Sequence, residues 1–247
     1  MGTCLKADMV RIHKKTSMIV FMCVQMVLFI GLPFLGKMLM EYSEDAGGTI
    51  DVMSSAGMAS FFIGIPAFLA VFKDDFKSRS MQTAIGWGIS RSNLVICRFL
   101  EVVIVFVEIY LLQTIAGLIM APVFGNTISY ALSAAGAMWI DLIPTISFIA
   151  IAMLVMYASL NTTLGLVIYI VLVMGIVDLI INLLNLIPFV SKMGIDFGRY
   201  WVSGAVVHAQ NESMMMEIMQ LLLIAGVYIV VPVIAAIMLF RKKELEA

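Results

Sequence analysis

The sequence predicts an all-α integral membrane protein, on the grounds of its composition, its apolar runs and the placement of its basic residues. Apolar residues make up 62% of the 247 residues, charged residues only 13%, and the mean hydropathy is +1.07. Soluble domains carry about 25% charged residues. A hydrocarbon core about 30 Å thick requires a helix of about 20 residues, and the chain offers six apolar runs of about that length. We therefore expect six transmembrane helices that form a single transmembrane domain over residues 1–247.

The N-terminal segment, residues 1–16, precedes the first apolar run and mixes basic and apolar side chains. Leu5, Met9 and Ile12 recur at helical spacing and share one face, while Lys6 and Arg11 stand between them. This pattern predicts a short amphipathic helix at the membrane surface. A positively charged leader that only sets the orientation of the chain is the alternative, and the sequence favours neither.

The six spans follow in order, and two features indicate how they pack. Ala56, Ser60 and Gly64 are four residues apart in the second span, so a neighbouring helix can approach that face closely. The fourth and fifth spans are separated only by residues 161–163, which predicts an antiparallel hairpin. The expected spans are residues 17–35, 54–72, 99–120, 138–160, 164–187 and 216–240, with a charged loop at 73–98 and a less apolar loop at 188–213.

The basic residues lie mainly on one side of this layout. Twelve of the fifteen lysines and arginines fall in the N-terminal segment, in residues 73–98 or at the C-terminus, and three fall in the alternate loops. Cytoplasmic segments carry the excess of Lys and Arg in membrane proteins. We therefore expect both termini and the 73–98 loop to be cytoplasmic, which agrees with an even number of spans.

The 73–98 loop is the only long stretch of mixed charge between apolar runs. Asp74 and Asp75 precede residues 76–85, which can form a helix with acids at its positive end. Gly86, Trp87 and Gly88 would end that helix, and Ser90 or Ser92 can cap the third span. The loop is either a docking element for a soluble partner or a solvated segment whose charges only enforce topology.

Motifs that carry chemistry are absent from the sequence. It has no G-x-x-x-x-G-K-[ST] phosphate loop, no H-E-x-x-H and no G-x-S-x-G. Cys4, Cys23 and Cys97 form no metal-binding or disulfide pattern. We expect a non-enzymatic chain that needs any ATPase activity from another protein.

Three short segments together resemble the ABC-2 type permease family. They are residues 72–75, residues 88–91 with the sequence GISR, and residues 240–244 with the sequence FRKKE. In layout the chain is most similar to the short permeases of exporters for drugs, lantibiotics and small toxic peptides. The resemblance implies the type V-like ABC exporter architecture.

The resemblance also implies partners and roles. These are two cytoplasmic ATPase subunits that bind ATP and Mg²⁺, a second permease subunit that forms a homodimer or heterodimer, and a bacterial plasma membrane location. Residues 5–15 would be the connecting helix, and residues 188–208 would dip back into the outer membrane. The coupling helix would contain Asp74, Asp75, Phe76, Lys77, Ser78, Arg79 and Met81.

Polar residues inside the spans are the candidates for a cargo path or a subunit seam. Asp178, Asn182 and Asn185 share one face of the fifth span, and Glu108 lies deep in the third. Hydrogen bonding between helices is the alternative role for the fifth-span stripe. We also expect Arg98 and Glu101, one turn apart, to form an ion pair.

The bundle is apolar and Met-rich, which suits an amphipathic or hydrophobic cargo such as a toxin-like peptide or a lipophilic drug. Two other functions fit the same residues. A proton-coupled carrier would use Glu108 or Asp178 as a relay. A membrane scaffold or immunity protein would transport nothing.

Overall fold

The computed structural model describes residues 2–41, 64–73, 84–187, 196–212 and 215–242. Every regular element in these ranges is helical. The α-helices are α1 (Gly2–Lys14), α2 (Thr16–Glu41), α3 (Gly64–Lys73), α4 (Arg91–Met120), α5 (Ile128–Ser159), α6 (Thr162–Val173), α7 (Ile176–Asn185), α8 (Val202–Glu212) and α9 (Met215–Lys242). Short 3₁₀ turns at Ala121–Phe124 and Gly198–Tyr200 precede α5 and α8.

The all-helical membrane protein is confirmed, and the described residues contain three to five candidate membrane spans. By length and apolar character α4, α5 and α9 can each cross a membrane. Two bent pairs, α1 with α2 and α6 with α7, can each supply one more span. The expected second span lies partly outside the described residues, and α3 accounts for its final nine residues, 64–72. Six spans stay a prediction.

Helices α4 and α5 begin earlier than the apolar runs predicted. The Ser90 hydroxyl accepts a hydrogen bond from the Asn93 amide, and the Thr127 hydroxyl accepts one from the Tyr130 amide, each at 3.3 Å. Both caps are in extended conformation, as N-cap residues are. The helices therefore start at their caps, at 91 and 128 rather than 99 and 138, because hydropathy marks only the apolar part of a helix.

The expected fifth span is broken in two. Helix α6 ends at Val173, and α7 starts at Ile176 with its axis turned by 48°. Gly175 between them has φ of +70°, a conformation that glycine adopts without the steric cost of a Cβ. The span predicted over residues 164–187 thus corresponds to a bent pair of helices and not to one continuous helix.

The predicted hairpin of the fourth and fifth spans is confirmed as α5 followed by α6. Leu160 turns the chain in the left-handed conformation at φ of 53°. Asn161 then caps α6, and its side-chain oxygen accepts from the amides of Thr163 and Leu164 at 2.9 and 3.4 Å. At Gly165 an added Cβ would lie 2.7 Å from the Cβ of Met156, so the two helices approach closely there.

The core is built from large aromatic and apolar side chains of α3, α4, α5, α6 and α9. Phe68 of α3 stacks on Tyr169 of α6 with ring centroids 6.3 Å apart. Tyr169 also lies against Gly64, where a Cβ would clash with its hydroxyl. Of the predicted small-residue stripe, Gly64 therefore makes the expected close contact, and Ala56 and Ser60 lie outside the described residues.

The segment after α7 folds back against the bundle. Trp201, which precedes α8, stacks on Phe148 of α5 at 5.8 Å and meets Tyr228 of α9 edge-on at 5.3 Å. Val202, Ala205, Val206 and Ala209 of α8 are buried. Trp201 and α8 are thus part of the helical packing.

Candidate coupling end of the bundle

Several helix termini meet at one end of the bundle, which we call the basic end. It comprises the C-terminal ends of α3 and α9 and the beginning of α4. The Lys15 ammonium after α1 donates to the Ala70 carbonyl of α3 at 3.0 Å. Arg91 at the start of α4 contacts the end of α9. Lys73, Arg241 and Lys242 also lie at these termini.

Arg91 joins two of the short segments that carry the family resemblance. Its guanidinium donates to the carbonyls of Phe240 and Arg241, each at 3.3 Å. The same group lies 5.8 Å from the centre of the Phe240 ring. The last carbonyls of a helix have no partner within the helix and carry partial negative charge. Arg91 therefore caps the C-terminal end of α9 with a cation.

The end of the charged loop has the local structure that its sequence predicts. Residues 84–86 are helical, and Trp87 and Gly88 form a turn. The amide of Gly88, at φ of +88°, donates to the Ile85 carbonyl at 2.9 Å. Trp87 is 86% exposed at this turn. The predicted break after residue 85 is present, and of the two candidate caps Ser90 is the one used.

The predicted coupling residues, at positions 74–79 and 81, lie outside the described residues. Residues on both sides of them are described. Lys73 is the last described residue of α3, and the described residues resume at Ala84, in a helical turn that leads to Arg91. The ends of the loop therefore both belong to the basic end, and the role of the residues between them stays a prediction.

A buried group of charges joins α1 to α4. Arg98 donates to Glu101 at 2.7 Å and lies 3.1 Å from Asp8 of α1. Glu101 is fully buried, and Arg98 is 4% exposed. Asp8 also lies 3.3 Å from Arg11. The predicted pair of Arg98 and Glu101 is confirmed, but Asp8 was missed because nothing in the sequence relates it to residues 90 positions away.

Glu108, predicted as a cargo-path, subunit-seam or relay residue, forms a second link between the same helices. Its Oε2 lies 2.8 Å from Nε2 of His13, while Nδ1 of His13 bonds the Met9 carbonyl at 2.8 Å. The Met9 carbonyl contributes most to raising the pKa of His13, burial opposes it, and Glu108 raises the pKa further. The Glu108 carboxylate therefore contacts His13 of α1.

The three polar residues predicted to form a stripe on the fifth span lie in different environments. All three residues fall on α7, after the break at Gly175. Asn185 binds the returning segment, since its amide donates to Asp196 at 2.7 Å and its oxygen accepts from the Phe197 amide at 3.2 Å. Asp178 lies in the first turn of α7 and is half-buried, and Asn182 is exposed. Asn185 thus has a structural contact that the sequence did not predict.

The comparisons with known proteins add no relative. No family model, no curated protein and no solved structure matches the chain. Within the part of the chain that the structure describes, no three His, Cys, Asp or Glu residues cluster in a way that could hold a metal ion.

Proposed function

We propose that the chain is the transmembrane permease subunit of an ATP-driven exporter of the ABC-2 type. It works with two separate cytoplasmic ATPase subunits and a second permease subunit in a cell membrane. The cargo is an amphipathic or hydrophobic molecule, such as a toxin-like peptide or a lipophilic drug. ATP binding brings the ATPase subunits together, which displaces the 73–98 loop and rocks the helices between two states.

The observation that carries this proposal is the contact of Arg91 with Phe240 and Arg241. Two segments that resemble the family pattern are about 150 residues apart in sequence, and their side chains and carbonyls meet at the basic end. A displacement of the loop would therefore act on α4 and on α9 together. This is the property that an element needs to transmit a movement into the membrane.

The docking of α1 supports the same proposal. Asp8 and His13 hold the N-terminal helix against α4 at Arg98 and Glu108. The axis of α1 is turned by 66° from that of α2. Movement of α4 would thus also move α1 and the start of α2, as expected for a connecting helix.

The test is to separate ATP hydrolysis from transport. The chain is co-expressed with a candidate ABC ATPase, reconstituted into vesicles, and compared with the variants Phe76→Ala and Met81→Asp. If residues 76–85 dock in the ATPase, both variants insert normally and hydrolyse ATP, but export of a lipophilic dye falls at least tenfold. Phe197→Ala, an equivalent truncation in the segment after α7, is the control and keeps full transport.

Two results would contradict the proposal. One is unchanged transport and complex formation in both loop variants. The other is transport that proceeds without ATP or without any ATPase.

The contact of Glu108 with His13 favours a second candidate function, a carrier driven by protons. Histidine is the side chain that ordinarily changes charge near neutral pH, and Nε2 of His13 lies 2.8 Å from Oε2 of Glu108. A carrier of this kind needs no ATPase. An uncoupler would abolish its transport, whereas it would leave ATP-driven export in vesicles intact.

A further inference from the structure

A groove runs along α1 beside α4. It has a volume of about 480 Å³ and is lined by Leu5, Lys6, Met9, Val10, His13 and Lys14, with Ile104 of α4 as its far wall. On α1 these positions form two adjacent rows at a spacing of four residues, so they follow the helix axis. The groove is thus an elongated apolar channel with basic side chains along it.

Some charged side chains around the groove have ion-pair partners and others have none among the described residues. Asp8 pairs with Arg11 and Arg98, and Glu108 pairs with His13. The Lys15 ammonium binds the Ala70 carbonyl. Within the described ranges no carboxylate lies at ion-pair distance from Lys6 or Lys14. Both lysines are exposed, so the groove carries uncompensated positive charge.

The groove also lies where a lipid would reach it. Helix α1 leads directly into α2, the first apolar helix, and is docked on α4, which is long and apolar enough to cross a membrane. A basic amphipathic helix in this position lies at the boundary of headgroups and acyl chains. Lysines near a membrane surface attract anionic lipids.

We propose that this groove binds an anionic phospholipid. The acyl chain lies along Leu5, Met9 and Ile104, and the phosphate is held by the ammonium groups of Lys6 and Lys14. These lysines are eight residues apart, or about 12 Å along the helix. Their ammonium groups would therefore approach the headgroup from opposite directions along the helix axis. The lipid would thereby fix α1 against α4.

The experiment measures retained lipid on the purified full-length protein by native mass spectrometry. The probes are phosphatidylglycerol, phosphatidylcholine and free glycerol 3-phosphate. The test variant is Lys6→Gln with Lys14→Gln. The control is Lys73→Gln with Lys242→Gln, which removes the same charge from other helices at the basic end. A monodisperse gel-filtration profile confirms that each variant is folded.

We expect the protein to retain phosphatidylglycerol in preference to phosphatidylcholine and not to retain glycerol 3-phosphate. Loss of two lysines near the surface should weaken phosphatidylglycerol binding about tenfold or more, and the control should change it less than about twofold. Ile104→Ala, which keeps the charges and removes the apolar wall, should weaken binding of long-chain but not short-chain phosphatidylglycerol. Equal losses in both double variants, equal retention of phosphatidylcholine, or retention of glycerol 3-phosphate would overturn the proposal.

Discussion

Arg98 is a buried arginine, whereas arginine side chains are usually exposed to solvent. It is almost fully buried, and its guanidinium contacts Glu101 on its own helix and Asp8 on α1. A buried charge is tolerated when it is paired and hydrogen-bonded, and removal of one partner leaves the other uncompensated. The docking of α1 therefore depends on a balanced set of charges.

Replacement of Arg98 by Met should destabilise the protein, because Glu101 would remain fully buried without its cation. The expected loss is about 3–5 kcal/mol, which thermal unfolding in detergent would detect as a large fall in Tm. The double variant Arg98→Met with Glu101→Leu removes both charges and should recover much of the loss. A double variant less stable than the single one would contradict the assignment of this pair as the cause.

His13 makes the position of α1 dependent on pH. Its folded-state pKa is raised above 6.5, first by the Met9 carbonyl and then by Glu108. A raised pKa means that the folded state favours the protonated imidazole. The stabilising effect is thus complete below the unfolded pKa of 6.5 and is lost as the pH rises through the raised folded value.

Hydrogen exchange of the α1 amides should accordingly be slower at about pH 5.5 than at about pH 8.5, after correction for the intrinsic rate. The variant His13→Gln should show no such difference, and Glu108→Gln should show a smaller one. If His13→Gln retained the pH dependence of the native protein, another group would be responsible.

At the scale of elements, the hairpin of α5 and α6 depends on a glycine. Gly165 lies where a Cβ would approach the Met156 Cβ to 2.7 Å and the Ala152 carbonyl oxygen to 3.0 Å. Neither neighbour can yield without moving helix α5, because one atom is backbone and the other is attached directly to it. The distance between the two helices is therefore set by the absence of a side chain.

Gly165→Ala should thus destabilise the protein by about 1–3 kcal/mol, measured by thermal unfolding in detergent. Gly226→Ala in α9 is the matched control, since an added Cβ meets nothing within 4 Å there. That change should be neutral or stabilising by up to about 1 kcal/mol, because alanine favours helix more than glycine does. Equal effects at both positions would show that helix propensity, and not the close approach, decides the outcome.

Across the whole molecule, the contact of Arg91 with Phe240 restricts the topology. It places the start of α4 and the end of α9 at one end of the bundle. The chain between them must therefore cross the membrane an even number of times. This agrees with four crossings by α4, α5, the bent pair α6 and α7, and α9, and it does not depend on the second span, which precedes α4.

Cysteine labelling can test this arrangement. In a background with Cys4, Cys23 and Cys97 replaced by Ser, the variants Trp87→Cys and Ala247→Cys should react with a membrane-impermeant reagent only in inverted vesicles. We expect this because twelve of the fifteen basic residues fall in the segments that are predicted to be cytoplasmic. Labelling of the two positions from opposite sides would contradict the structure, and labelling of both from outside intact cells would contradict the orientation.

The sequence alone was sufficient where a property depends on neighbouring residues. Composition determined the helical membrane class, Ser90 was one of the two caps predicted for the third span, and Arg98 with Glu101 formed the pair that their spacing predicts. The break at Gly175 was missed because an isolated glycine within an apolar run is compatible with a continuous helix. Hydropathy averages over such a position.

Contacts between distant residues were decided only by the tertiary structure. Asp8 with Arg98, His13 with Glu108, Asn185 with Asp196, and Arg91 with Phe240 join residues that no local pattern relates. Apolar periodicity determines that helices form and which faces they bury, because it acts within one helix. Which helices then meet depends on side-chain shape and on pairing of buried charges across the bundle, and these act only once the chain has folded.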